Sequence, residues 1–170
     1  MKLSELSLIR ESVRDYSSRP VEADKLNEVL EAARLAPSAC NRQPWKFLVL
    51  KSDEARAKAA ATVGKFEWMA GAPVIIVGCV DHSQEWVRGY DAKPHGDIDV
   101  AIAAEHICLA AAREGLGTCW ICSFDAKAFA SAFDLPANLE PVVILPLGYP
   151  AYEGQRPKQR KALGEIVEIR

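Results

Sequence analysis

Arg10, Ser12 and Arg14 occupy alternate positions of the run Arg10-Glu-Ser-Val-Arg14. In an extended chain alternate side chains share a face. Two guanidinium forks and a hydroxyl would then converge on one point, a donor set matched to a phosphate dianion. Spacing alone equally describes a solvated basic turn. A second cationic pair, Lys158 and Arg160, stands near the other end of the chain and gains meaning only if the fold sets it beside Arg10. The loop Ala36-Pro-Ser-Ala-Cys-Asn-Arg-Gln-Pro-Trp45 places Ser38, Asn41 and Gln43 in backbone stiffened by Pro37 and Pro44. Their hydroxyl and amide groups both donate and accept, as a heteroaromatic ring with alternating carbonyl and nitrogen positions requires. A metal would call for carboxylates or imidazoles. A plain helix-to-strand turn accounts for the same residues.

Other signals compete less well. Cys119-Trp-Ile-Cys122 is a C-x-x-C, but a reactive dithiol sits at a helix N-terminus, where the dipole lowers the thiol pKa. Here the motif falls on an expected strand, on which side chains three apart point to opposite faces. No second C-x-x-C or close histidine pair suggests zinc. His106, on an apolar helix, reads as a hydrogen-bonded core histidine. Gly115 and Gly117 follow a helix and precede a strand, the reverse of a dinucleotide fingerprint. The stretch Asp81 to His95, with Trp86, Arg88, Tyr90 and Lys93, is a candidate lid or a plain surface connection.

The elements that must position these groups follow from periodicity. Ser4 is expected to cap a first helix carrying Leu3, Leu6 and Ile9. A second helix starts near Asp24, with Leu26, Val29, Leu30 and Ala33 as its buried stripe, and runs until Pro37. Trp45 to Leu50 and the β-branched run Pro73 to Val80 read as strands, the latter covered on both faces. An alanine-rich helix lies between them. Asp97 to Arg113 is apolar nearly all round and is expected to cross the core, with Gly115 ending it. Thr118 to Ile121 reads as a strand, Asp125 caps a helix with Phe129 and Phe133, and Val142 to Leu147 is a further strand in which Pro146 demands an edge or irregular position. Ile166 and Ile169 suggest a terminal strand. Without a repeat, linker or composition break, residues 1–170 form one expected domain.

Composition bounds the function. The chain has 170 residues, 49% hydrophobic and 26% charged, with a net charge of -2. Such a balance supplies no broad cationic surface for nucleic acid or anionic lipid, so any anion must be met locally. The N-terminus lacks a signal-peptide pattern. The longest apolar stretch, Val100 to Ala112, is interrupted by Glu105 and His106 and is too short for a membrane span. The five cysteines lie in otherwise apolar segments. Together these features give a cytoplasmic protein in a reducing compartment as the expectation.

In order along the chain, IRESVRDY, APSACNRQPWKF, GLGTCWI, LPLGYP and Lys158-Gln-Arg160 resemble the FMN-binding nitroreductase family, specifically its short members, over essentially the whole sequence. The resemblance implies an α+β fold: a three-layer sandwich with a mixed, mainly antiparallel central sheet flanked by helices. It also implies an intertwined homodimer with FMN at the interface. Arg10, Ser12 and Arg14, with Lys158 and Arg160, would hold the ribityl phosphate. Pro37, Ser38, Asn41 and Gln43 would reach the flavin, in part from the partner subunit. Trp120, Ile121, Cys122 and Ser123 would set backbone N–H groups near the reactive edge of the ring, where a donor stabilises negative charge developing on reduction. Three departures stand out. Glu11 replaces a common basic residue in the phosphate stretch. Gly64, Lys65 and Glu67 occupy the place of a pyrimidine-side asparagine and lysine, and Cys122 and Ser123 replace small residues.

The function so implied is an FMN-dependent oxidoreductase that takes hydride from NADH or NADPH and reduces nitroaromatic, quinone or similar acceptors in ping-pong order. The cofactor carries the chemistry, and no protein acid or base is required. A flavin-binding sensor or carrier without steady turnover is the alternative. Other flavin chemistry, such as dehalogenation or flavin fragmentation, is disfavoured by the shortness of the 81–95 insertion.

Overall fold

The structure is a computed structural model and describes residues 2–170. Its centre is a four-stranded antiparallel sheet of β1 (Trp45–Leu50), β2 (Val74–Asp81), β3 (Gly117–Thr118) and β4 (Leu139–Gly148), in the order β1-β2-β4-β3. Ser12 adds a parallel bridge to Thr118, which makes the sheet mixed in the manner expected. β2 is buried along nearly its whole length, because its alternate side chains feed two different cores. Val74, Ile76 and Val80 face α2 (Ala23–Arg34) and α4 (Gly96–Arg113). Ile75, Val77 and Cys79 face α3 (Asp53–Ala60), the 3-10 turn Glu67–Gly71 and α5 (Ala126–Ala132). Two helical layers thus enclose one sheet. α4 crosses closely, since a Cβ on Gly78 would lie 3.0 Å from Val100 Cγ1 and 2.9 Å from Val143 Cγ1.

Pro146 lies inside the sheet, not at its edge, and the register explains how. Gly117 pairs with Gly148 and Ile121 with Ile144, which sets Cys119 opposite Pro146. Proline has no N–H to give, so the ladder breaks there and the expected strand Thr118 to Ile121 survives only as β3 and an isolated bridge. The Pro146 carbonyl instead accepts the Tyr16 hydroxyl at 3.2 Å.

Two expectations at the chain ends need correcting. Ser4 does not cap α1 (Leu3–Ile9); Lys2 is the cap residue, and its N–H donates to the Glu5 carboxylate at 2.8 Å. The tail forms no strand. It makes a single helical turn, α6 (Leu163–Ile166), and Ile169 beyond it is 94% exposed. No sheet edge of the chain receives it. Elsewhere Asp125 caps α5 by accepting Ala128 N–H at 2.9 Å, and His106 Nδ1 lies 3.2 Å from the Ala32 carbonyl, hydrogen-bonded as expected but half-buried at the rim of the core. Among the described residues no helix is long and apolar enough to cross a membrane.

The Asp81 to His95 stretch is a short hairpin closed by a Val87–Pro94 bridge. His82 ties its base to the sheet, with Nδ1 2.9 Å from Glu85 and Nε2 2.8 Å from Glu140. Those two carboxylates hold the imidazole pKa above its ordinary 6.5. The stability gained is therefore fully present below about pH 6.5 and is lost as pH rises through the raised value. With the side chain 38% exposed, the effect is modest. His82→Gln is expected to flatten the dependence of melting temperature on pH over this interval; slopes identical to wild type would remove the clamp.

Candidate functional site

α1 ends at Ile9, and the chain continues extended through Arg10, whose φ and ψ are -61° and 123°. Val13, 1% exposed, turns into the core, and its N–H donates to the Thr118 carbonyl at 2.9 Å. Its neighbours Ser12 and Arg14 are left on the other side of the segment. The Tyr16 hydroxyl closes the segment, its one proton shared between Val13 O at 2.9 Å and the longer contact to Pro146 O. Burial raises the Tyr16 pKa, so the phenol stays protonated as that donor.

The chain leaving β4 returns alongside this segment. Ser17 N–H donates to Tyr149 O at 2.8 Å and Ala151 N–H to Asp15 O at 3.0 Å. The Glu11 carboxylate accepts the Tyr152 hydroxyl at 3.1 Å and Arg156 N–H at 3.2 Å. Glu11 thus serves to fasten the C-terminal strap. Lys158 Nζ ends beside Arg10, donating to the carbonyls of Ser7, at 2.6 Å, and Arg10. Burial, then Arg10 and Arg160, lowers the Lys158 pKa. The result is a recess of about 190 Å³ lined by Arg10, Glu11, Ser12, Arg14, Arg156, Lys158 and Arg160 among others. Cations from opposite ends of the sequence meet there, and among the described residues Arg10 alone of them forms a salt bridge, to Glu105 at 4.0 Å.

Arg14 also lines a second recess, a slot of about 100 Å³ walled by Phe66, Trp68 and the segment Cys119 to Ser123. Trp68 stacks on Tyr16 with centroids 6.4 Å apart, and Phe66 meets Trp68 edge-on at 6.1 Å. Trp120 Nε1–H donates to Cys122 Sγ at 3.0 Å. Ile121 is 4% exposed, and both its N–H and carbonyl pair with Ile144. A backbone donor toward the slot has to come from its neighbours. Cys119 is buried, which pushes its thiol pKa up, while Cys122 is exposed. Both are free thiols, and a reactive dithiol would need the opposite shift.

The Ser38–Gln43 loop lines neither recess within the chain. It is wired to itself, with Gln43 N–H donating to Ser38 Oγ at 2.8 Å and Gln43 Nε2 donating to Asn41 Oδ1 at 3.2 Å. Pro37, Asn41 and Gln43 are exposed and Ser38 half-buried. Cys40, Asn41 and Gln43 take φ of 51°, 53° and 51°, a region that costs a residue with a side chain roughly 1–3 kcal/mol.

Sequence reasoning missed Phe66, Trp68, Tyr152 and Arg156. Phe66 and Trp68 stand among Gly64, Lys65 and Glu67, and the slot wall there is aromatic; its cation is Arg14. The aromatic pair two residues apart was a readable signal. The Glu11–Tyr152 pairing, 141 residues apart, left none.

Residues 9–65 and 57–149 match the family model described as the nitroreductase family, and the chain belongs to that family. A protein of Methanothermobacter thermautotrophicus, provisionally named NADH dehydrogenase/NAD(P)H nitroreductase, is 32% identical over 89% of this chain and 78% of its own. A crystal structure of a nitroreductase family protein from Clostridium difficile 630 superposes with a TM-score of 0.91 at 37% identity, covering 99% of this chain and 98% of that one. An FMN-dependent nitroreductase from Clostridium difficile R20291 gives 0.81 at 26% identity, covering 95% and 96%.

Proposed function

We propose that this protein is an FMN-dependent NAD(P)H oxidoreductase. The observation that carries the reading is the convergence of Arg10, Ser12, Arg14, Lys158 and Arg160 on one recess. Its donors fit the phosphate of FMN: guanidiniums and an ammonium supply charge-assisted hydrogen bonds, and the one carboxylate in the lining, Glu11, is engaged by Tyr152 and Arg156. Arg14 joins this recess to the aromatic slot, which suits a ligand with an anionic tail and a flat ring. Relatives named as NAD(P)H nitroreductase and FMN-dependent nitroreductase support the same cofactor and donor. When bound, FMN supplies the chemistry: it accepts hydride from NADH or NADPH and passes reducing equivalents to a nitroaromatic, quinone or similar acceptor in ping-pong order.

The chain's part is binding, orientation and exclusion of water. Arg10, Lys158 and Arg160 grip the phosphate, and Phe66, Trp68 and Trp120 wall the ring. A slot of about 100 Å³ falls well short of the roughly 300–1,000 Å³ that encloses a drug-sized ligand. A second copy supplies the rest, with Pro37, Ser38, Asn41 and Gln43 of the partner subunit reaching the flavin in a homodimer. Exposed Leu3, Leu8, Leu163 and Ile166 give that copy apolar surface to cover.

Purified protein is expected to be yellow, to release FMN on denaturation and to oxidise NADH or NADPH in the presence of menadione or a nitroaromatic. A colourless protein that takes up no added FMN would overturn the proposal. Bound FMN with no nicotinamide oxidation would establish the sensor or carrier alternative in its place.

A further inference from the structure

The strained Ser38–Gln43 loop has few ties to the body of the protein. Its internal bonds, Asn41 N–H to Ser38 O at 3.0 Å and Arg42 N–H to Ala39 O at 3.1 Å among them, close it on itself without fixing where it points. Arg42 reaches the Glu85 carbonyl at 3.4 Å, a long contact on an exposed side chain. The short tie, to a buried carboxylate, is Ala39 N–H to Asp99 Oδ1 at 2.9 Å.

Asp99 is built into α4 in a way that suits an anchor. It lies in the helix's first turn, its own N–H bonded to His95 O at 3.0 Å, and the residue is 2% exposed. The positive end of an 18-residue helix favours a carboxylate there. Yet Asp99 Oδ2 is buried with no hydrogen-bond partner among the described residues. A half-satisfied buried carboxylate is costly compared with an apolar residue of similar size. What the side chain does in exchange is hold Ala39 with a charge-assisted bond, stronger than a neutral one.

We infer that Asp99 is a positioning residue for the cofactor site. It holds the loop in the left-handed geometry that presents Ser38, Asn41 and Gln43, and it acts through Ala39 without touching the ligand. The inference rests on the proposed contact between this loop and FMN.

The test compares full-length Asp99→Ala, Asp99→Asn, Asp99→Leu and Asn41→Ala by two readouts. One is FMN affinity from flavin fluorescence quenching; the other is hydrogen exchange of the 36–44 peptide in flavin-free protein. Asp99→Ala is expected to speed exchange at Ala39 and to weaken FMN binding by about tenfold or more, as for one lost charge-assisted contact. Asp99→Asn keeps an acceptor oxygen and is expected to stay within about threefold of wild type. Ala39→Pro removes the same bond from the loop side but drives its ring against the Asp99 carboxylate, so Asp99→Leu, which breaks the bond and fills the buried space with an apolar side chain, decides the matter if Asp99→Ala fails to fold. Unchanged exchange and unchanged FMN affinity in Asp99→Ala and Asp99→Leu, while Asn41→Ala loses affinity, would overturn the positioning role alone. Unchanged affinity in Asn41→Ala as well would overturn the loop's contact with FMN, and the inference with it.

Discussion

Arg10→Ala is expected to weaken FMN binding by between about tenfold and about 100-fold, the span set by roughly 1.5–3 kcal/mol for a hydrogen bond to a charged group. Arg10 is placed for a large effect, lining the recess with its side chain only 21% exposed. Its loss also bares Glu105, 4.0 Å away, whose negative charge Arg10 offsets in the wild type. The variant therefore loses a cation and gains a repulsive neighbour. Glu105→Gln added to Arg10→Ala should restore part of the lost affinity, whereas Lys161→Ala, outside the recess lining, should leave it unchanged. Equilibrium titration of flavin-free protein with FMN checks all three. Wild-type affinity in Arg10→Ala would show that the phosphate lies elsewhere.

Gly117→Ala is expected to lower stability by about 1–3 kcal/mol, the usual cost of an added methyl in a well-packed core. At about 2–4 °C per kcal/mol for a chain of this size, that is a fall of several degrees in melting temperature. The added Cβ would stand 2.3 Å from Val13 Cγ2 and 2.8 Å from Val13 Cβ. Val13 cannot retreat freely, because its N–H is bonded to Thr118 O. The 10–14 segment must shift as a whole, taking Ser12 and Arg14 with it, so FMN affinity should fall together with stability. Gly71→Ala, where a Cβ meets nothing within 4 Å, is the control. Val13→Ala in the Gly117→Ala background removes the 2.3 Å overlap with Cγ2 but keeps the 2.8 Å one with Cβ, so flavin affinity should recover only in part. A Gly117→Ala protein with wild-type melting and affinity would mean that the two segments are not in register as described.

Much of this fold was legible because its elements are strongly periodic. α2, α4, β1 and β2 lie within a few residues of where apolar spacing put them, and the two-sided burial of β2 was readable from its near-continuous Val and Ile run. The misreadings have physical causes. Glu5 reaching back to Lys2 displaced Ser4 as the helix start. Pro146 broke a strand through a register that only tertiary pairing sets. The tail's alternating isoleucines had no edge to join in this chain. For the site, the alternation of Arg10, Ser12 and Arg14 carried its own geometry, since an extended segment was enough to bring them together. The meeting with Lys158 and Arg160 came from the family resemblance. The strap's fastening was illegible, because Glu11 finds its partners only after the sheet has brought Tyr152 and Arg156 back across the molecule.

That return path bears on when the cofactor can be captured during synthesis. Lys158 and Arg10 are 148 residues apart, so the ribosome delivers the first cationic cluster early and the second only after every strand of the sheet has been made. A nascent chain carrying Arg10 alone offers half a grip. On the proposed assignment of the recess to the FMN phosphate, tight loading with flavin awaits release of the strap, and ribosome-stalled chains ending before residue 158 are expected to emerge without it.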